Sequence, residues 1–390
     1  MASFYKLIKS TIIAELARLC YFLSKPFFKK NIWIISETES QAQDNGYALF
    51  CWIEANTSGI DVFYVVDKHS PGIDKFKNRN NLLAVGSFKL IFYMYHANRI
   101  ISTHGLWMVP DELGILKKLT RKALKAKKVM LNHGVIFIKN GIKYYHKSIF
   151  PLNDLWCAVS AREKHLLQNE YGYSDKDIVI TGLPRFDFLA DTSDQSKWQN
   201  MILYMPTFRD TEKDLEEKCK DTELYHRIKD LMLDKQLNLF LQEKDCHLAI
   251  YLHKDIQSYL KYLDQFTSDR VHIVRPSEIN IKDLFKMGKL LITDYSSVFF
   301  DFVYLNKPFI SYQFDYDEFI NSREEKPHCD IRSELPAYVV TTHNQLISTI
   351  QAIEKDNFSM PPEHQQKAAQ LFTYKDQENC KRVYQAICQL

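Results

Sequence analysis

The sequence predicts an α/β protein made of two successive halves, each with a parallel sheet covered by helices. Short apolar runs typical of buried strands alternate with segments of helical periodicity along most of the 390 residues. This alternation is typical of parallel sheets with helices on both faces. A polar stretch, 191–200, interrupts the alternation, which resumes after it. We therefore expect two Rossmann-like domains facing a central cleft, with ligands beyond the carboxyl ends of the strands.

The predicted elements divide the chain into four parts. These are an amphipathic N-terminal helix (1–30), an N-terminal Rossmann-like domain (31–190), a C-terminal one (199–365) and a closing C-terminal helix (366–390). The predicted strands are 31–36, 61–66, 82–85, 99–102, 128–131, 155–159 and 177–181 in the first domain, and 201–205, 248–252, 271–274, 290–293 and 308–312 in the second. A helix is predicted at 43–56. We place the interdomain linker in the polar stretch 191–200.

The N-terminal helix has an apolar stripe over residues 2–24, flanked by lysines. Such a helix either lies in a membrane interface or packs on the body of the protein, and one stripe fits both. No window of about 20 residues is free of charge, so we expect no membrane span and no cleavable signal. With about 30 residues before the first strand, we also expect no extra acceptor-binding domain.

The composition excludes several classes of protein. Hydrophobic residues make up 46% and charged residues 25%, which excludes a mainly disordered chain. A net charge of +3 is too small to indicate nucleic-acid binding by itself. The eight cysteines contain no C-x-x-C pair, which argues against a disulfide framework and a zinc site. Both glycine-rich phosphate-binding fingerprints and the H-E-x-x-H metal motif are missing as well.

A serine pair follows a predicted strand of the second domain. Strand 290–293 runs into Asp294, and Ser296 and Ser297 precede an apolar helix predicted to begin at Val298. Hydroxyls and unpaired amides at a helix start, with the positive end of the helix dipole behind them, suit a diphosphate. From the spacing alone, plain helix capping is the simpler interpretation.

Histidines follow three other predicted strands. His104 and His133 each precede a glycine in the first domain, and a histidine with a near-neutral pKa suits a general base. His253 could donate to a phosphate oxygen in the second domain. From the residues alone, a structural role is the simpler interpretation for His253, and each of the two His-Gly pairs is a weak signal. Arg209 could bind a phosphate, although an ion pair with Asp210 is the simpler explanation.

The segment 117–128 holds seven basic residues and no acidic one. It is either a solvated helix face or a contact for anionic lipid headgroups or an anionic polymer. We favour the second, because the N-terminal stripe is also basic and amphipathic. The residues assigned to acceptor or membrane contact here are Lys117, Lys118, Arg121 and Lys122.

Taken together, these segments resemble the CDP-glycerol glycerophosphotransferase family, the polymerases and primases of teichoic acids and related bacterial capsules. The strongest match is the segment 291–302 with its continuation to 315. His133-Gly134, with Lys139 and Gly141, resembles the family's His-Gly-Thr-Pro-Leu-Lys-Lys-x-Gly segment. Further matching segments, in the family's order, are 182–187, 206–210, 252–253 and 374–382.

The resemblance implies a GT-B-like architecture and a reaction. A CDP-activated glycerol or ribitol phosphate is the implied donor, CMP leaves, and neither a cofactor nor an essential metal is expected. By position, His133 would be the base, while His253, Ser296 and Ser297 would hold the diphosphate. The remaining residues assigned by this reasoning are Asp294, Arg209 and Thr293 on the donor side and Lys139 on the acceptor side.

Three departures from the family pattern concern the site. Asn132 replaces a Trp, Val135-Ile136 replaces Thr-Pro, and Lys254 replaces a Pro. The expected partners are a CDP-polyol, an anionic glycan or lipid-linked acceptor and the cytoplasmic membrane surface, without nucleic acid. A glycosyltransferase of the same architecture that uses a CMP- or UDP-sugar is the alternative, and a non-catalytic scaffold of a capsule assembly complex is a third. The length of the chain fits both a primase, which adds the first few units, and a short-chain polymerase.

Overall fold

The computed structural model describes residues 2–38, 42–76, 79–104, 124–138, 140–148, 154–209, 215–322 and 326–390. The chain forms two compact units. The first comprises Met1–Val135, Gly141–Phe188 and Leu371–Leu390, and the second comprises Ile136–Asn140 and Leu189–Gln370.

The first unit contains a seven-stranded parallel sheet in the order β3-β2-β1-β4-β5-β6-β7. Its strands are β1 (Ile32–Ser36), β2 (Asp61–Val66), β3 (Leu82–Ala84), β4 (Arg99–Ser102), β5 (Lys127–Met130), β6 (Leu155–Ala158) and β7 (Ile178–Ile180). Five helices in the described part of this unit precede residue 189. They are α1 (Ala2–Ser24), α2 (Asn45–Asn56), α3 (Phe88–His96), α4 (Ile142–Tyr145) and α5 (Ala161–Asn169). The predicted parallel pairing is confirmed.

The second unit contains a six-stranded parallel sheet in the order β10-β9-β8-β11-β12-β13. Its strands are β8 (Met201–Tyr204), β9 (His247–Tyr251), β10 (Val271–Val274), β11 (Leu290–Thr293), β12 (Phe309–Tyr312) and β13 (Tyr338–Val340). Its helices are α6 (Glu223–Leu233), α7 (Lys235–Glu243), α8 (Leu260–Leu263), α9 (Ile281–Met287), α10 (Phe299–Tyr304), α11 (Tyr316–Asn321), α12 (His343–Lys355) and α13 (Pro362–Ala369). The chain then returns to the first unit as α14 (Asn379–Cys388).

Strand β1 shows why the sequences of the strands are continuous apolar runs. Successive side chains of a strand point to opposite faces of the sheet. Ile32 and Ile34 lie in the cluster that includes residues of α1 and α3, whereas Trp33 and Ile35 lie in the cluster that includes residues of α2 and α14. Both faces are therefore covered, and alternation with polar residues is not required.

Helix α1 packs one of its faces on the first unit. Ala14, Ala17 and Tyr21 are buried in the same cluster as residues of α3. The two small alanine side chains allow α1 to approach its neighbour closely. Of the two interpretations that the sequence left open, packing on the body of the protein is therefore correct for this face.

After α13 the chain returns to the first unit. There, segment 374–382 contacts segment 182–187, and both were matched to the family pattern as separate segments. Asp187 accepts hydrogen bonds from the backbone amides of Asn379 and Cys380, at 2.8 and 2.6 Å. Gly182 has a φ of +77°, and a Cβ atom there would lie 2.0 Å from the Asn379 Oδ1 atom. Segments 182–187 and 374–382 thus form one substructure. A side chain at position 182 would collide with Asn379, which explains why this position is a glycine.

Three predicted boundaries were wrong. The stretch 191–200 is not a linker but part of the second unit, where the Asp191 carboxylate pairs with the Lys307 ammonium at 2.7 Å. The closing segment 366–390 is not one helix, because α13 ends at Ala369 and belongs to the second unit. The helix predicted from Val298 begins at Phe299.

Candidate functional site

Two histidines lie side by side at the carboxyl edge of the first sheet. His104 follows β4 and His133 follows β5, and these strands are adjacent and parallel. The two imidazole rings are stacked, with centroids 4.9 Å apart and planes inclined by 21°. His133 is exposed and His104 is half-buried. They were predicted as two separate candidates, whereas their rings form one stacked pair.

A left-handed turn at Asn132 precedes His133. Asn132 has a φ of +58°, a conformation that asparagine adopts more readily than most residues. Its Oδ1 atom accepts a hydrogen bond from the His133 amide at 2.9 Å. This hydrogen bond from the next amide to the Asn132 side chain stabilises the turn locally. The left-handed conformation therefore explains why asparagine is found here, where the sequence departs from the family pattern.

Two buried side chains hold the backbone of this turn. The Nδ2 atom of Asn45 donates to the Asn132 carbonyl at 2.9 Å, and its Oδ1 accepts from the Arg185 amide at 3.0 Å. The Arg185 guanidinium donates to the His133 carbonyl at 2.6 Å and pairs with the Asp44 carboxylate at 2.9 Å. The carbonyls of two successive residues are thus fixed from α2 and from the segment after β7.

Glu37, directly after β1, organises the segment that carries Asp44. Its carboxylate accepts hydrogen bonds from the backbone amides of Gln43, Asp44 and Tyr47 at 2.7–3.0 Å. Burial, with a smaller contribution from the nearby Asp44 charge, raises the pKa of Glu37 to about 7. Glu37 therefore fixes the segment that carries Asp44, the ion-pair partner of Arg185.

The second unit places its candidate residues at the carboxyl ends of neighbouring strands. Arg209 follows β8, and Asp294 follows the adjacent β11. The Arg209 guanidinium contacts Asp294 at 3.0 Å and both carboxylate oxygens of Asp315 at 2.6 and 3.0 Å. All three side chains are at most 10% exposed. The charge of Arg209 is therefore already matched by two carboxylates.

Asp294 and Thr293 are also occupied within the second unit. Asp294 Oδ1 accepts from the amides of Thr207 and Tyr295 at 2.9 and 2.7 Å. Thr293 is fully buried, and its hydroxyl donates to the Met205 carbonyl at 2.7 Å. These contacts join the segments after β8 and β11. Burial lowers the pKa of Arg209, but Asp294 and Asp315 outweigh burial and raise that pKa overall.

His253 and the serine pair are more accessible. His253 follows β9, is exposed, and its ring packs on Phe208 with centroids 4.6 Å apart. Ser296 and Ser297 are half-buried, and Ser296 Oγ accepts from the Val298 amide at 3.4 Å. Because β9, β8 and β11 are consecutive in the sheet, these side chains share one edge with Arg209.

Several predicted residues lie outside the described part of the chain. These are Lys117, Lys118, Arg121, Lys122, Lys139 and Asp210, together with the side chain of Lys254. Within the ranges that the structure describes, no group of three or more His, Cys, Asp or Glu side chains could hold a metal ion.

Asn45, Glu37 and Asp315 were not predicted as site residues from the sequence. Asn45 and Glu37 carry no motif. The contact of Asn45 to the segment after β5 arises only when the strands are ordered in the sheet, and Glu37 binds the backbone amides of Gln43, Asp44 and Tyr47. Asp315 ends the continuation of the matched segment 291–302, so its position was visible in the sequence. Its pairing with Arg209, 106 residues away, was not.

The chain is similar to a known family, to curated proteins and to solved structures. The model of the family described as CDP-glycerol:poly(glycerophosphate) glycerophosphotransferase matches residues 18–389. The minor teichoic acid biosynthesis protein GgaB of Bacillus subtilis is 26% identical, over 97% of this chain and 42% of GgaB. A teichoic acid poly(glycerol phosphate) polymerase of Bacillus spizizenii is 24% identical, over 94% of this chain and 89% of the polymerase.

This chain therefore spans less than half of GgaB. Among solved structures, a variant of the wall teichoic acid polymerase TagF has a TM-score of 0.68. It is 17% identical, and the match covers all of this chain and 98% of the TagF chain. The likeness confirms the predicted fold class, an α/β protein with two Rossmann-like units of GT-B type.

Proposed function

The chain belongs to the CDP-glycerol:poly(glycerophosphate) glycerophosphotransferase family, and from this premise we propose that it transfers a polyol phosphate from a CDP-activated donor. The donor carries glycerol phosphate or ribitol phosphate, and the acceptor is a hydroxyl of a teichoic-acid-like or capsular glycan or of its lipid-linked precursor. The observation that carries the proposal is the geometry of His133. Its ring is exposed at the carboxyl edge of the first sheet, while Arg185 donates to its carbonyl and Asn45 donates to the carbonyl of the preceding Asn132.

In the proposed reaction, His133 is the general base. The acceptor oxygen attacks the β-phosphorus of the donor while its proton passes to the His133 imidazole. The bond from the β-phosphorus to the oxygen that bridges the two phosphates breaks, and that oxygen leaves with its electron pair on CMP. The product is a phosphodiester. A base held rigidly before the substrate arrives requires little reorganisation during the reaction.

The carboxyl edge of the second sheet is the proposed donor site. The exposed His253 imidazole and the half-buried hydroxyls of Ser296 and Ser297 are suited to donate to the diphosphate as its charge develops. Direct contact of the donor with Arg209, Asp294 or Thr293 stays a prediction. Their contacts support a different role, in which they keep the segments after β8 and β11 in place beneath the diphosphate.

We also propose that α1 lies at the inner membrane surface, where a lipid-linked acceptor would be presented. The helix exposes large apolar side chains on the side opposite its buried alanines. Ile12, Leu16, Leu19 and Phe22 are between 50% and 61% exposed. An apolar stripe of this size beside lysines is typical of interfacial helices. Within the described chain, no helix is long and apolar enough to cross a membrane.

A donor screen tests the proposed function. The purified protein is incubated with CDP-glycerol, CDP-ribitol, CMP-sugars and UDP-sugars, each with candidate acceptors, and nucleotide release is followed by chromatography. We expect CMP from one CDP-polyol together with an acid-labile phosphodiester. We also propose that the reaction needs no metal, so EDTA should leave the rate unchanged. Turnover of a sugar nucleotide alone would overturn the proposed donor class.

A further inference from the structure

The proposed donor site so far contains no permanent positive charge for a negatively charged diphosphate. His253, Ser296 and Ser297 offer an imidazole and two hydroxyls. Arg209 lies at the same edge of the second sheet, but two carboxylates already match its charge, and its side chain is only 10% exposed. A diphosphate bound at this edge therefore still lacks a cationic partner among these residues.

Arg332, in the segment between α11 and β13, lies at this same edge. The central carbon of its guanidinium is 3.6 Å from the centroid of the Tyr316 ring. Its Nε atom donates to Gln313 Oε1 at 3.2 Å. Gln313 directly follows the carboxyl end of β12, and Tyr316 is the first residue of α11. The ring and the amide oxygen together hold the guanidinium in one plane.

Buried hydrogen bonds connect Arg332 to the segment that carries the serine pair. Gln313 Nε2 donates to Ser311 Oγ at 2.9 Å, and Ser311 Oγ donates to the Asp294 carbonyl at 3.1 Å. Gln313 and Ser311 are at most 1% exposed. Asp294 precedes Ser296 by two residues, and the strands β11 and β12 are adjacent and parallel. Within the second unit, the position of the guanidinium is thus fixed relative to the proposed diphosphate site.

The charge of Arg332 is available to a ligand, unlike that of Arg209. Arg332 is exposed, and among the residues that the structure describes its two terminal nitrogen atoms have no hydrogen-bond partner. The nearby Asp330 carboxylate accepts from the Ser333 hydroxyl and from the Arg332 amide, at 2.6 and 2.9 Å, and not from the guanidinium. A guanidinium with two free donors in a fixed plane matches the spacing of two phosphate oxygens.

We propose that Arg332 binds the diphosphate of the donor through its two terminal nitrogen atoms. This inference rests on the proposed function, because it takes the CDP-activated donor as the ligand. When CMP leaves, negative charge grows on the oxygen that bridged the two phosphates. A guanidinium that is oriented before the donor arrives stabilises this charge without reorganisation. Arg332 thereby supplies the permanent positive charge that His253 and the serine pair do not.

Nucleotide binding to the full chain tests the proposal by calorimetry with CDP and CMP. We expect Arg332→Gln to weaken CDP binding about tenfold, which corresponds to about 1.4 kcal/mol, and to weaken CMP binding less, because CMP lacks the second phosphate. Arg332→Lys keeps the charge but not the forked geometry, so it should recover part of the loss. Arg270→Gln is the matched control, because Arg270 precedes β10 at the opposite, amino edge of the same sheet.

Arg270→Gln should bind CDP as the wild type does, and circular dichroism shows whether each variant is folded. Wild-type affinity for CDP in folded Arg332→Gln would overturn the proposal. So would an equal loss in Arg270→Gln, since the loss would then follow from net charge alone. Turnover of a CDP-polyol together with unchanged CDP affinity in Arg332→Gln would keep the proposed function and remove Arg332 from it. Conversely, if CDP binds but no CDP-polyol is turned over, the proposed function fails, while the comparison of CDP affinities still decides the role of Arg332.

A pair of variants tests the orientation of the guanidinium. Tyr316→Phe keeps the ring beneath Arg332, whereas Tyr316→Leu removes it. We expect Tyr316→Leu to weaken CDP binding about threefold and Tyr316→Phe to leave it unchanged, because a stacked guanidinium loses less freedom when the diphosphate binds. Equal CDP affinity in Tyr316→Leu and the wild type would overturn the role of the ring.

Discussion

Replacement of Asn45 by alanine should loosen the turn that carries the proposed base. The side chain of Asn45 is fully buried and makes two hydrogen bonds, one to the Asn132 carbonyl and one from the Arg185 amide. Asn45→Ala leaves both of these backbone groups without that partner. A buried polar group without a partner costs about 1–3 kcal/mol, so the two together predict a loss of about 2–6 kcal/mol in the free energy of unfolding.

The assay combines urea unfolding with turnover and nucleotide binding. Because Asn45 acts on the base and not on the donor site, kcat should fall in the folded variant while the affinity for CDP stays the same. Asn56→Ala is the matched control. Asn56 ends the same helix, and its side chain donates to the Trp52 carbonyl at an exposed position. We expect a change within about 0.5 kcal/mol there. An Asn45→Ala variant with wild-type stability and turnover would refute the reasoning.

Further predictions concern the donor site, the pH dependence of stability and the membrane. Arg209→Met leaves two buried carboxylates without their cation and should destabilise the protein by about 3–5 kcal/mol in urea unfolding. Ser297→Ala should weaken donor binding about fivefold in calorimetry without changing stability, and equal affinity would count against the diphosphate site. The folded-state pKa of Glu37 is raised, so its stabilising contribution is complete below about pH 4.5 and is lost as the pH rises through about 7. The stability of Glu37→Gln relative to the wild type should therefore rise by up to about 3 kcal/mol over that range, and a constant difference would contradict this. The double variant Leu16→Glu, Leu19→Glu should no longer sediment with anionic vesicles, and unchanged binding would argue against a lipid role for α1.

The sequence was sufficient to predict most of the strands, for a physical reason. Strands such as β11 are buried on both faces, so they appear as uninterrupted apolar runs between turn residues. Strand β13 was missed because it is an edge strand of three residues, of which Tyr338 and Val339 are only half-buried. The interval 191–200 is polar because it lies on the surface of the second unit, which polarity alone does not distinguish from a linker.

The partners within the site were harder to predict than the positions of its residues. His104 and His133 were both expected at strand ends. Their stacking depends on β4 and β5 being neighbours in the sheet, and the sequence of neither strand specifies that order. Arg209 was expected to pair with the adjacent Asp210 if it paired at all. The structure instead joins it to Asp294 and Asp315, since β8 and β12 flank β11.

The most direct test of the central claim is the transfer rate of His133→Ala, measured beside its affinity for CDP. Loss of a general base predicts a fall in transfer of about 10²- to 10⁴-fold. Because the proposed donor residues belong to the second unit, the dissociation constant for CDP should stay at its wild-type value. Transfer that persists at the wild-type rate in His133→Ala would contradict the assignment of His133 as the base.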